Sequence, residues 1–85
     1  MHYVYILKTK NKNWHYIGST SDLRVRFAQH QADQVTSTKG RRPLDLVYYE
    51  AYPTSFQAKK RELELKNNSQ QKEFVLKRIN HGEVA

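Results

Sequence analysis

Residues 3–18 read YVYILKTKNKNWHYIG, and this stretch limits how the rest of the chain can be arranged. Residues 3–7 alternate aromatic and aliphatic side chains without a polar face, which is typical of a strand covered on both sides. Polar turn residues follow at 10–13, and a second strand-like run extends from Trp14 to Gly18, where we expect it to end or bend. The two runs predict a β-hairpin with residues 3–7 as the central strand of a small sheet.

Beyond the hairpin, helix-like and strand-like patterns alternate. In the strand predicted over 44–52, simple alternation places Leu46 and Tyr48 on the same face. Capping residues mark the start of each predicted helix. The predicted elements are a helix from caps at 19–22 to about Ala32, the strand at 44–52, a helix from Thr54 to about Lys66, and a last helix that Ser69 caps and His81-Gly82 ends.

The order of these elements is ββαβαα. It predicts an α+β fold in which a three-stranded, mainly antiparallel sheet is flanked by three helices. Because 85 residues are too few for two independent cores, we expect one domain over 1–82 and a frayed tail at 83–85.

The chain is strongly basic, with fifteen Lys and Arg against eight Asp and Glu and a formal net charge of +7. Such a charge favours a polyanionic partner, and nucleic acid is favoured over a membrane because no broad apolar helix face is evident. The chain has no cysteine, and its apolar N-terminal run is too short for a signal peptide or a membrane span. These features indicate a cytoplasmic protein and leave its oligomeric state open.

Two groups of exposed cations are candidates for contacting a nucleic-acid backbone. The first lies in an aperiodic loop over 33–43, and the second lies in the predicted helix after Thr54. For each residue, a solvated basic face is the equally weighted alternative. The candidates are Lys39, Arg41, Arg42, Lys59 and Lys60.

Five polar side chains have the chemistry that phosphodiester hydrolysis needs, provided that the fold brings them together: Tyr5, Tyr16, Arg26, His30 and Glu62. A guanidinium can neutralise a phosphate, a carboxylate can hold a hard metal ion, and a phenol or imidazole can take a proton from water. The hypothesis requires that all five side chains surround one site.

Several segments resemble the GIY-YIG endonuclease superfamily. Tyr3-Val4-Tyr5 and Tyr16-Ile17-Gly18 match its two name-giving motifs, although Tyr3 stands where the name has glycine. Residues 18–30 match its Asp-Leu helix start followed by an arginine and a histidine, and residues 58–66 are similar to its helix with a metal-holding glutamate. The resemblance spans residues 3–80 and is strongest to short stand-alone domains.

The resemblance implies a metal-dependent endonuclease that acts on DNA more readily than on RNA. Tyr16, helped by Tyr5 or His30, would activate water; Arg26 would stabilise phosphate charge; and Glu62 would hold one Mg²⁺ or Mn²⁺. No added recognition domain is expected after residue 82, so sequence specificity would come from the domain itself or from a partner protein.

Two other functions remain open. The chain could be a non-catalytic DNA- or RNA-binding module of the same fold, or a protein-interaction adaptor that uses the same surface. Each candidate residue also has a structural interpretation: the tyrosines as ordinary strand aromatics, Arg26 as a solvated helix residue, and Glu62 as half of a surface pair with Lys66.

Overall fold

The computed structural model describes residues 1–10 and 12–80, and it confirms the predicted order ββαβαα. The predicted helix end at His81-Gly82 and the predicted tail at 83–85 lie outside these residues. A short 3-10 helix, Thr36–Thr38, interrupts the loop before the last strand. The other elements are β1 (His2–Thr9), β2 (His15–Thr20), α1 (Leu23–Gln31), β3 (Leu44–Tyr52), α2 (Ser55–Asn67) and α3 (Ser69–Asn80).

The three strands form one antiparallel sheet in the order β2-β1-β3, so β1 is central as predicted. Val4 and Ile6 face α2 and α3 and are fully buried with Leu65 and other apolar residues. Tyr5 and Leu7 face the opposite side, where α1 covers part of the sheet. The two apolar faces of β1 therefore each supply half of the core, as a strand without a polar face should.

A β-bulge in the pairing of β1 with β3 makes the predicted alternation in β3 wrong. Ile6 pairs with Tyr48, whereas the next residue of β1, Leu7, pairs with Leu46. Val47 is thus an extra residue, and Leu46 and Tyr48 point to opposite faces of the sheet.

The three helices begin at side-chain caps. The side chain of Asp22 caps α1 by accepting a hydrogen bond from the Val25 amide, and Thr54 caps α2 as predicted. The predicted cap of α3 is wrong by one residue. Asn68, not Ser69, caps this helix, because its Oδ1 accepts hydrogen bonds from the amides of Gln70 and Gln71. Across residues 1–10 and 12–80, none of the helices has the length and apolarity to cross a membrane.

An ion pair links α2 to β3. Arg61 forms two hydrogen bonds with the Glu50 carboxylate, at 2.9 and 3.2 Å, and both side chains are less than one-fifth exposed. The phenols of Tyr48 and Tyr52 each donate to the same carboxylate at 2.6 Å. Burial alone would raise the pKa of Glu50, but these hydrogen bonds outweigh burial and lower it. With Arg61 held against β3, the next residue, Glu62, is buried towards the sheet.

Candidate active site

The two motif tyrosines lie side by side over Gly18 of β2. In the sheet, Tyr5 pairs directly with Gly18, and Tyr16 precedes Gly18 by two residues on the same face. A Cβ atom on Gly18 would lie 2.7 Å from Tyr5 Oη and 2.8 Å from Tyr16 Cε2, so only glycine leaves room for both rings. Gly18 lies inside β2, which continues to Thr20, so of the two predicted alternatives, an end or a bend at this residue, the strand end is excluded.

The third member of this cluster is His30, which is completely buried near the end of α1. Its Nε2 lies 2.8 Å from Tyr5 Oη, and its Nδ1 lies 2.7 Å from Thr38 Oγ1. The ring centroids of Tyr5, Tyr16 and His30 are 5.1 to 6.1 Å apart. We call these three residues the tyrosine–histidine cluster. The structure therefore brings three of the five candidate residues into contact.

The ionisation of the cluster follows from its burial. Burial and the nearby positive charge of Arg26 both lower the pKa of His30, so the imidazole is neutral at pH 7. Burial, together with the neighbouring Tyr16, raises the pKa of Tyr5 to about 12, although Arg26 opposes this shift. A neutral imidazole has one acceptor nitrogen and one donor nitrogen. Tyr5 can then donate to Nε2 while Nδ1 donates to Thr38, which satisfies both ring nitrogens.

Arg26 lies one turn before His30 on α1 and is half-buried. Its guanidinium is near enough to affect the pKa of both Tyr5 and His30, and its Nη1 donates to Gln29 Oε1 at 3.0 Å. The arginine therefore belongs to the surroundings of the cluster, where its charge can meet an incoming phosphate.

Glu62 reaches the same edge strand from the other face of the sheet. Ser19, the residue after Gly18, donates its hydroxyl to Glu62 Oε1 at 2.5 Å. Lys66 donates to Oε2 at 2.6 Å. Glu62 is 7% exposed, and its carboxylate lies beside β2, close enough to contribute to the raised pKa of Tyr5. The tyrosines and the glutamate thus flank β2 at consecutive residues instead of lining one face.

The surroundings of Glu62 keep it ionised. Burial alone would raise its pKa, but hydrogen bonds from Lys66 and Ser19 and the charge of Lys59 outweigh burial and lower it. Glu62 does form the ion pair with Lys66 that a surface helix would have. Glu62, however, is buried, so the pair is not a solvated surface pair.

A carboxylate and a serine hydroxyl are hard oxygen ligands of the kind Mg²⁺ accepts, and Mg²⁺ often takes few protein ligands because it retains its waters. In residues 1–10 and 12–80 there is no group of three His, Cys, Asp or Glu that could hold an ion. The residues fit a site with one carboxylate ligand, provided that Lys66 releases Oε2.

The five predicted backbone-contact residues do not form one surface. Arg41 in the exposed loop stacks over Trp14, with its guanidinium carbon 4.4 Å from the ring centroid. Lys59 lies 3.5 Å from Glu62 Oε1 on the β2 side of α2. Lys60 lines a shallow pocket together with Tyr52 of β3, at the opposite edge of the sheet from Glu62. Lys39 and Arg42 are exposed in the same loop as Arg41.

Three residues of this region were missed by sequence reasoning. Gly18 indicated only a strand end or bend, although a glycine two residues after Tyr16, on the same face of the predicted strand, could have indicated a close approach of a ring. Ser19 and Thr38 each contribute one hydroxyl. The partner of Ser19, Glu62, is distant in sequence, and the partner of Thr38, His30, is separated from it by a loop without periodicity. No local pattern distinguishes them from the other Ser and Thr residues nearby.

Comparisons with known proteins point to one family. A family model described as the GIY-YIG catalytic domain matches residues 1–77. A UPF0213 protein of Staphylococcus saprophyticus is 43% identical over 76 residues, which cover 88% of this chain and 92% of the relative. A UPF0213 protein of Staphylococcus haemolyticus is 42% identical over the same shares. The solution NMR structure of a UPF0213 protein from Bacillus halodurans is 37% identical, has a TM-score of 0.54, and is matched over 88% of this chain and 80% of that chain.

Proposed function

Because this chain belongs to the GIY-YIG catalytic domain family, a family of nucleic-acid endonucleases, we propose that it hydrolyses phosphodiester bonds in DNA with one Mg²⁺ or Mn²⁺. One observation supports this proposal most strongly. The tyrosine–histidine cluster and the Glu62 carboxylate flank consecutive residues of one edge strand, Gly18 and Ser19. An edge strand leaves space for a phosphate to reach groups on both faces of the sheet.

In this proposal, proton transfer belongs to the tyrosine–histidine cluster. Tyr16 is half-buried, whereas Tyr5 and His30 are almost completely buried behind it, so Tyr16 is the phenol that an attacking water can reach. Tyr5 donates a hydrogen bond to the neutral His30, and both rings pack against Tyr16, with ring centroids 6.1 and 5.1 Å from that of Tyr16. The pair can therefore help Tyr16 to orient and deprotonate the water.

Charge stabilisation belongs to Arg26 and Glu62. Arg26 would bind the phosphate beside the cluster and neutralise the charge that develops on it. Glu62, assisted by Ser19, would hold the metal ion once Lys66 has moved aside. When bound, such an ion neutralises phosphate oxygens and lowers the pKa of a coordinated water.

A specific observation favours a second candidate function, binding of DNA or RNA without cleavage. Both oxygens of Glu62 are already engaged, one by Ser19 and the other by Lys66, so the carboxylate is an internal ion pair as it stands. If Lys66 does not yield to a metal ion, the fold and the positive charge would still support binding. In either case, we propose that the chain acts in the cytoplasm and that its specificity comes from the domain itself or from a partner protein.

The test is cleavage of labelled DNA and RNA of several structures with Mg²⁺ or Mn²⁺, by wild type and by Glu62→Gln. We expect the variant to lose about 100-fold or more in cleavage rate and to keep its affinity for nucleic acid in EDTA. Glu73→Gln is the matched control, because Glu73 pairs with Lys77 at the same helical spacing but is 69% exposed. Binding by wild type without metal-dependent cleavage would instead establish the second candidate.

A further inference from the structure

A groove of 630 Å³ lies on the sheet face that carries the tyrosine–histidine cluster, between the start of α1 and β3. Its volume falls within the range of about 300–1,000 Å³ that is usual for small-molecule sites. Tyr3, Phe27, Leu46 and Tyr49 supply its aromatic and apolar walls. The groove exists because α1 covers only part of this face, and Tyr49 is left 55% exposed.

The groove adjoins the proposed site of hydrolysis. Tyr49 of β3 pairs directly with Tyr5 of β1, and their side chains share one face of the sheet. Tyr3, two residues before Tyr5, meets Tyr49 edge-on with ring centroids 6.1 Å apart. A nucleic-acid strand whose phosphate lies beside Tyr5 and Tyr16 therefore passes next to the half-buried ring of Tyr3 and the exposed ring of Tyr49.

The chemistry of the groove fits a nucleobase. The exposed ring of Tyr49 offers a flat surface for stacking, and Arg24, which also lines the groove, adds a cation that can stack or contact phosphate. Asp22 also lines the groove, but its carboxylate already accepts a hydrogen bond from the Val25 amide at 3.1 Å. In a chain of net charge +7, an anionic strand is the complementary occupant.

We propose that this groove is a stacking subsite for an unpaired base next to the cleaved bond, so that the preferred substrate is single-stranded nucleic acid. A base inside a duplex has its faces covered by its neighbours, and exposing one face costs a few kcal/mol of unstacking and unpairing. A single strand offers its base faces without this cost. The proposal rests on the proposed function only in placing the phosphate beside Tyr5.

The test is binding of a labelled 15-nucleotide single strand and of its duplex, measured by fluorescence anisotropy in EDTA so that no cleavage occurs. We expect Tyr49→Ala to weaken single-strand binding about tenfold, as loss of one base–aromatic stack does, and to change duplex binding by less than about twofold. Tyr49→Phe keeps the ring and should bind like wild type. Phe56→Ala is the control for loss of an exposed aromatic elsewhere, since Phe56 is 75% exposed on α2.

The outcomes separate this subsite from the proposed hydrolysis. Single-strand preference that depends on Tyr49, without cleavage of any substrate, would support the subsite and refute the nuclease. Metal-dependent cleavage, with wild type and Tyr49→Ala binding single strands equally well, would support the nuclease and refute the subsite. A dimer in sedimentation velocity that Tyr49→Ala converts to monomers, with single-strand binding unchanged, would show that a second copy covers the groove and would also overturn the subsite.

Discussion

A single methyl group on Gly18 is expected to displace both motif tyrosines. The added Cβ would lie 2.7 Å from Tyr5 Oη and 2.8 Å from Tyr16 Cε2, well inside van der Waals contact. Tyr5 is 1% exposed and its hydroxyl is held 2.8 Å from His30, so its ring has little room to retreat. Overpacking of this kind costs about 1–3 kcal/mol of folding free energy.

Two measurements follow for Gly18→Ala. Thermal unfolding should shift downward by roughly 4–8 °C for each kcal/mol lost, which is the scale for a domain of this size. The cleavage rate, measured with saturating substrate at a temperature where the variant is folded, should fall by about 100-fold, because small displacements of catalytic groups have effects of that size.

Gly40→Ala is the matched control. Gly40 has φ of +80°, and a Cβ atom added to it would meet no other atom within 4 Å, so alanine there costs about 1–2 kcal/mol through the backbone alone. This variant should lose stability and keep its cleavage rate. The reasoning would be refuted if Gly18→Ala were as stable and active as wild type, or if the two variants lost activity equally.

Two further predictions concern stability. Glu50→Gln removes the charge that Arg61 pairs with and should lower the unfolding free energy in urea by about 1–3 kcal/mol, whereas Asp45→Asn, in an exposed pair, should change it by less than about 0.5. Burial lowers the pKa of His30 in the folded state. The free energy of unfolding should therefore keep its full value above the ordinary histidine pKa near 6.5 and decline as pH falls from there through the lowered pKa of the folded state. Replacing His30 with Gln should reduce this decline, and an unchanged pH profile would contradict the assignment of a buried neutral imidazole.

Much of the fold could be predicted because its signals are local. The two apolar faces of residues 3–7 indicated a central strand, and the strand predicted at 44–52 has the observed bounds. Thr54 marked the start of α2, where its hydroxyl accepts a hydrogen bond from the Gln57 amide. The family resemblance, which depends on short motifs at fixed spacings, is confirmed by the match over 1–77.

What could not be predicted depends on contacts between distant segments. The bulge at Val47 arises where β3 pairs with β1, and alternation within β3 alone gives no sign of it. Thr38 becomes a partner of His30 only because the loop folds back over α1. Likewise, Glu62 and Glu64 look equivalent in a charged helix, and only the packing of α2 on the sheet, which buries Ala58 and Leu65 on the same helix face as Glu62, shows which of them is buried.

The central claim is that the Glu62 carboxylate and the tyrosine–histidine cluster serve one metal-and-phosphate site across β2. Titration of the ¹⁵N-labelled protein with Mn²⁺, followed by paramagnetic broadening of its amide resonances, tests this claim directly. We predict that broadening begins at Gly18, Ser19 and the turn of α2 around Glu62, and that Glu62→Gln abolishes it. Broadening centred elsewhere, or unchanged in Glu62→Gln, would contradict the account.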